Sequence, residues 1–287
     1  MRRQCSKAGG FTLVELVVAI VLAAIVASFI VLFLDAPVQA YFAQTRRSDL
    51  VDSANRIATA VSGDMRTALP NSARAASAGA TQALELLATT GVARYYTTGE
   101  NPPGGTEKEL AAGSSLPAFA TLDSFNTQAL PYRVPYIAVG NLGAPSAYDA
   151  YNSASGVMSP VTATITVVAN PATPPALDEN QVSLSPAMIF QNVVAPHNAY
   201  LVSGPVSYVC DPVAGTLRRY SGYSVTATQA VPPTGPSALI AHDVSACTIS
   251  FGIANPRYGQ LAILTVTLSS GGESLQVFLE VPTEYVQ

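Results

Sequence analysis

The sequence predicts an α+β chain: a long N-terminal membrane-anchored helix packed on an antiparallel β-sheet head. Three observations predict it. Residues 11–34 form a run of 24 predominantly apolar residues in which Glu15 is the only charge. Beyond it, Leu50, Ala54, Ile57, Val61, Met65 and Leu69 recur at spacings of three and four, as on a helix with one apolar face. The C-terminal third then changes to short alternating runs separated by turn residues.

The apolar run comes first. At 1.5 Å per residue it is roughly 36 Å long, enough to cross a hydrocarbon layer of about 30 Å with some tilt. An ionised carboxylate at the depth of Glu15 costs about 3 kcal/mol on insertion scales, so it requires a partner, and no basic side chain stands near it in the run. A secretory signal peptide would have an apolar core of about 7–15 residues followed by small residues at a cleavage site. Here the run is longer, and Asp35-Ala36-Pro37-Val38-Gln39 follows it. A lipoprotein would place its cysteine after the core, whereas Cys5 precedes it. A plain signal anchor accounts for the length but not for Glu15 or Gly9-Gly10. Cleavage between Gly10 and Phe11 accounts for all of them. It retains the anchor and creates an amine at Phe11, four residues from Glu15. In a stack of such anchors, the amine of one subunit can neutralise Glu15 of the next.

Helix is expected to continue past the bilayer, with Pro37 interrupting it by removing one backbone bond. The stripe from Leu50 to Leu69 needs a surface to dock on, and Arg46, Arg47, Asp49, Asp52, Arg56, Asp64 and Arg66 occupy the other faces. Pro70-Asn71-Ser72 stops the helix. The expected organisation is therefore a leader at 1–10, an anchor at 11–34, a periplasmic helix at 35–70 and a β-rich head at 71–287.

Within the head, residues 84–87 and 92–96 flank Thr89-Thr90-Gly91 and read as a hairpin. Asn101-Pro102-Pro103-Gly104-Gly105 reads as loop and Glu107–Leu110 as one helical turn. Residues 116–156 read as long loops with short strands, 161–168 as a strand, and 170–180 as a Pro-rich linker. Two hairpins follow. Residues 200–209 and 216–220 turn through Asp211-Pro212-Val213-Ala214-Gly215; residues 261–268 and 274–281 turn through Ser269-Ser270-Gly271-Gly272-Glu273. Residues 247–251 read as a further strand of the same sheet.

Charged residues make up 11% of the chain and hydrophobic ones 49%. Loss of Arg2, Arg3 and Lys7 with the leader leaves eleven basic against eighteen acidic side chains, a formal balance of −7. An acidic body argues against nucleic acid as a ligand. The three leader cations place the N-terminus on the cytoplasmic side. With Cys5 removed, Cys210 and Cys247 remain as an even pair, and in an exported β-rich region such a pair reads as a disulfide.

Candidate chemistry is sparse. The sequence has no Gly-x-Ser-x-Gly elbow, no His-Glu-x-x-His and no phosphate-binding glycine loop. No catalytic residue, cofactor or metal site is expected. His242-Asp243 reads as a surface pair at a strand start, Arg218 and Arg219 as strand-edge charges. Asp178-Glu179-Asn180 reads as a solvated loop, with a calcium site as the alternative.

Gly10-Phe11-Thr12-Leu13-Val14-Glu15 resembles the type III signal of type IV prepilins and type II secretion pseudopilins. The resemblance implies that an inner-membrane prepilin peptidase cuts after Gly10 and N-methylates Phe11, and that Glu15 is the assembly carboxylate. Residues 37–41, 45–52, 68–72, 200–208 with Cys210, and 216–220 further resemble minor pilins of the MSHA pilus biogenesis type; residues 72–198 show no specific match. The implied partners are prepilin peptidase, other major and minor pilins, the inner-membrane assembly platform and the lipid bilayer. The implied location is the inner membrane, then the pilus, at its tip. The alternatives are a type II secretion pseudopilin, a tip adhesin, and a membrane-anchored periplasmic enzyme for which the sequence offers no catalytic cluster.

Overall fold

The computed structural model describes residues 10, 12–102, 108–125, 132–169, 179–255 and 259–282. The leader residues 1–9, Phe11, most of the 170–180 linker, and Pro103 to Glu107 lie outside the described residues. Among the described residues the architecture is α+β: one long N-terminal helix, α1 (Leu13–Arg66), followed by thirteen strands in antiparallel sheets. The chain divides into two compact units, residues 1–49 and 50–287.

In the first unit α1 is continuous. Pro37 lies inside it and does not interrupt it. Proline has no N–H to give, so the helix lacks one backbone bond at this point, yet residues on both sides stay helical. The Asp35 carboxylate also accepts from the Gln39 side chain at 2.9 Å, one turn on.

The second unit starts with the amphipathic part of α1. Leu50, Ile57, Val61 and Met65 are buried, as the spacing predicts, with Ala54 packed beside them. The helix ends at Arg66, before the expected stop. The Leu69 N–H donates instead to the Leu87 carbonyl at 2.7 Å, so the last residue of the stripe belongs to a different part of the core.

Among the described residues three sheets complete this unit. The largest contains β1 (Arg74–Ala78), β2 (Thr81–Arg94), β8 (Asn198–Asp211), β9 (Thr216–Ser221) and β10 (Ser237–His242) in that order, with β5 (Tyr136–Val139) also paired to β8. A four-stranded sheet orders β3 (Ser115–Ala120), β7 (Asn180–Ile189), β6 (Thr164–Ala169) and β4 (Tyr132–Val134). A three-stranded sheet orders β11 (Val244–Asn255), β12 (Gly259–Ser270) and β13 (Glu273–Pro282). The main core joins the α1 stripe to Leu84, Leu86, Val206 and Tyr208 of the large sheet and to Leu264, Val266, Leu268 and Val277 of the three-stranded one.

Both C-terminal hairpins form as the turn residues predict. Asp211 closes the first by accepting the Val213 and Ala214 N–H groups on Oδ1, at 2.9 and 3.0 Å. The 84–96 hairpin does not form. Residues 81–94 are one strand paired along β8, and Thr89-Thr90-Gly91 makes a register shift in it. The same turn-forming residues suit a bulge as well as a turn. Three strands, β1, β7 and β10, were not foreseen. β7 carries Ser183, Ser185 and Pro186, which break its apolar pattern, and β10 follows a long Pro-rich loop.

Candidate functional site

The first turn of the anchor brings together the residues singled out by sequence. Thr12 precedes α1 and caps it: its Oγ1 accepts the Glu15 N–H at 3.3 Å. In return Glu15 Oε2 accepts from the Thr12 N–H at 3.3 Å and from its hydroxyl at 3.2 Å. This is a reciprocal capping box, and a carboxylate at this end also opposes the helix dipole. Glu15 therefore has local hydrogen-bond donors, contrary to the expectation of a wholly stranded acid. Those donors are neutral, so they satisfy lone pairs without cancelling the charge. The Thr-x-x-Glu pattern at residues 12–15 was the readable sign of this box.

Gly10 is exposed, and a Cβ placed there would meet nothing within 4 Å. The chain's own packing thus sets no requirement for glycine at this position. Phe11, the expected methylation site, lies outside the described residues.

The helix that follows is apolar on every face and exposed. Leu13 is 79% and Phe33 78% exposed, and none of the most apolar window is buried within the chain. A helix hydrophobic all round belongs either in a protein core or in a membrane. Among the described residues no core covers it. A single-pass anchor fits both its length and its composition.

The head carries two polar clusters not anticipated from sequence. In the first, Asp64 of α1 receives Arg219 of β9 through Nε at 2.6 Å and Nη2 at 3.3 Å, and the Tyr208 hydroxyl of β8 at 2.6 Å. Arg219 is therefore an internal tie between helix and sheet, not a strand-edge charge, because β9 lies between β8 and β10. Burial, then the Asp64 carboxylate beside it, raises the Tyr208 phenol well above its ordinary value. The hydrogen bond to Asp64 likewise raises Arg219. Arg218 sits in the same inner strand and reaches the Ser237 hydroxyl at 3.1 Å.

The second cluster surrounds Glu85, which is almost fully buried in the large sheet. Arg74, its register partner on β1, donates to Oε1, and the Tyr223 hydroxyl donates to Oε2 at 2.9 Å. The Arg74 guanidinium lies 3.4 Å over the Tyr151 ring and donates to the Thr226 and Ala227 carbonyls at 2.7 Å. The loop between β9 and β10 is thereby held against the sheet. Burial first, then the charge on Glu85, raises the Tyr223 phenol.

Cys210 and Cys247 form the expected disulfide, with Cα atoms 6.4 Å apart. It does not join two strands of one sheet. Cys210 lies in β8 and Cys247 in β11, so the bond staples the large sheet to the three-stranded one.

His242 and Asp243 do form an exposed pair at 2.7 Å, between the end of β10 and the start of β11. Of the proposed calcium loop, Asp178 lies outside the described residues. Glu179 accepts the Tyr96 hydroxyl at 2.6 Å, and Asn180 accepts the Phe125 N–H at 3.1 Å. Among the described residues no group of three or more His, Cys, Asp and Glu is placed to hold a metal ion. A cleft of about 260 Å³ is lined by Leu69, Asn71, Asn141, Leu142, Val194 and Tyr200 among others. Its buried carboxamide, Asn141, is committed to the Pro70 carbonyl and to the Gly143 and Ala150 N–H groups.

A family model described as the prokaryotic N-terminal methylation motif matches residues 5–31. No curated protein and no solved structure matches the chain. The motif supports a type IV pilin-like protein, and proteins of that kind are structural. It implies processing by prepilin peptidase, association with other pilins and single-pass anchoring.

Proposed function

We propose that this chain is a minor pilin acting in the assembly and initiation of an MSHA-type type IV pilus. The observation that carries the reading is Glu15, an acid at the start of an exposed, wholly apolar helix, inside a matched methylation motif. Prepilin peptidase cuts after Gly10 and methylates the new Phe11 amine. The chain waits in the inner membrane with residues 11–34 as anchor, residues 35–70 continuing the helix and the head in the periplasm. On assembly the Glu15 carboxylate of one subunit meets the Phe11 amine of its neighbour. Removing two charges from lipid together is far less costly than stranding either.

A type II secretion pseudopilin shares this N-terminal physics. The pilus reading is favoured by the segments at 37–41, 45–52, 68–72, 200–208 and 216–220, which resemble the MSHA pilus biogenesis protein MshO. The chain works by assembly with other major and minor pilins on the inner-membrane platform, and it ends at the pilus tip.

Mass spectrometry of the chain recovered from membranes tests the proposal. The expected mature form begins at N-methylated Phe11. An intact Met1, or any other start, overturns it.

A further inference from the structure

We infer that the outer edge of β13 receives an extended strand from a different pilin-like chain of the same filament. This rests on the filament reading above and adds a place and a geometry for one subunit contact.

Unpaired sheet edges are sticky, and natural proteins blunt them with short strands, bulges, proline or capping side chains. The other edges here are treated in these ways. β1 has five residues and β4 three. β3 shifts register around Pro117. β5 is covered by residues 157–159, with the Val139 N–H bonded to the Val157 carbonyl and the Ser159 N–H to the Ile137 carbonyl. β10 shifts register, and its Ile240 carbonyl accepts Arg56 Nε at 3.2 Å. On β11 the Ile249 N–H donates to the Gln82 side chain at 2.7 Å. β13 differs. It has ten residues in unbroken register, from Leu261↔Pro282 to Ser270↔Glu273, and carries no Lys or Arg and no proline before its last residue. Among the described residues it pairs with β12 alone.

The turn fixes which groups face outward. Gly271 and Gly272 both have positive φ, 57° and 84°, and close a two-residue hairpin between Ser270 and Glu273. Residues flanking such a turn exchange both hydrogen bonds, and pairs then alternate along the ladder. Ser274, Gln276, Phe278 and Glu280 therefore direct their N–H and C=O groups away from β12. Phe278 is 60% exposed. On the opposite face Leu275 and Leu279 are half-buried beside buried Val277 and Val281. An added strand would satisfy the main chain and extend cover over Leu275 and Leu279.

A second copy is the poorer occupant. Two β13 strands joined edge to edge bring together segments whose only charged residues are the acidic Glu273 and Glu280, on two bodies that are both net acidic. The occupant is therefore a different chain. It presents apolar residues toward Leu275 and Leu279 and a Lys or Arg toward Glu280, complementing a body with formal charge −7 after loss of the leader.

The test places a photo-cross-linking amino acid at residue 278 of the full chain, in cells that build the filament. The expected product is a covalent link to another chain bearing an N-terminal methylation motif, identified by mass spectrometry. Gln276→Pro removes one outward N–H and leaves the β12 ladder intact, since proline is tolerated at such edge positions. It should reduce the product about tenfold, the equivalent of one main-chain hydrogen bond. Glu280→Lys should reduce it without any backbone change. A product made of two copies of this chain, or yields unchanged in both variants, overturns the inference. The same sample reports the mature N-terminus and filament incorporation. A chain correctly processed and incorporated but not cross-linked sinks the strand contact alone; an unprocessed one sinks the filament reading with it.

Discussion

Two stretches of α1 obey the same helical geometry and differ in what covers them. From Leu50 to Met65 an apolar stripe is buried by the head's own sheets. From Leu13 to Phe33 every face is apolar, and the described side chains are exposed. The first stretch is satisfied within the chain, whereas the second needs lipid or neighbouring anchors. Stability of the head and competence for assembly should therefore be separable by mutation along a single helix.

The sharpest separation comes from Glu15→Ala. In the proposed filament it would leave the Phe11 amine of a neighbour in lipid without its counter-ion, at a cost of about 3–5 kcal/mol. Incorporation should fall on the order of a hundredfold or more. Processing and head stability should be unchanged, as read by N-terminal mass and by thermal unfolding. Unchanged piliation would remove Glu15 from its role.

Ile57→Ala and Ile25→Ala carry the comparison directly. Ile57 is fully buried against the sheets, so its truncation should destabilise the head by about 2–5 kcal/mol in denaturant unfolding. Ile25 is 47% exposed and in no core cluster, so its truncation should leave that unfolding curve in place. Equal effects would mean that the two stretches are not distinct. Cys247→Ser should cost about 3–4 kcal/mol, because a bridge across a separation of 37 residues restricts the unfolded chain. Its loss should loosen the three-stranded sheet first, visible as faster amide exchange in β11 to β13.

The Asp64 cluster is the polar counterpart of the stripe, tying the buried stretch of α1 to β8 and β9. A double-mutant cycle between Asp64→Asn and Arg219→Gln should give a coupling of about 1–3 kcal/mol. It also sets an alkaline limit. With the Tyr208 phenol raised above its unfolded value of about 10, the folded state holds that proton where the unfolded state has released it. The contribution is complete below about pH 10 and is lost as pH rises toward the folded value. Tyr208→Phe should flatten the fall in stability above pH 10, in a titration of unfolding free energy against pH.

The same comparison shows which parts were legible in sequence. The two stretches of α1 were, because run length and 3.6-residue spacing are local properties. The β12–β13 hairpin was legible from its alternation and Gly271-Gly272. The Cys210–Cys247 pair was legible as a pair, but the sheets it joins depend on topology. β2 was misread because Thr89-Thr90-Gly91 suits a bulge as well as a turn. The polar ties were hidden for another reason: Asp64 and Arg219 stand 155 residues apart, and Glu85 sits unremarked between leucines. The capping box at Thr12 and Glu15 is legible too, because its Thr-x-x-Glu spacing is local.

The smallest effect is expected where the geometry looks most like a strong interaction. His242 Nδ1 lies 2.7 Å from Asp243, and Arg219 Nε lies 2.6 Å from Asp64. Distance does not separate the two pairs, but exposure does: 55% and 40% for the first, 31% and 22% for the second. Water screens the first pair and hydrates either partner alone, whereas removing Arg219 leaves a half-buried carboxylate beside a buried phenol. His242→Ala should therefore shift stability by no more than about 0.5 kcal/mol. A loss comparable to that from Arg219→Gln would mean that the end of β10 is covered in the working protein, and that the head's exposed surface is smaller than its isolated fold displays.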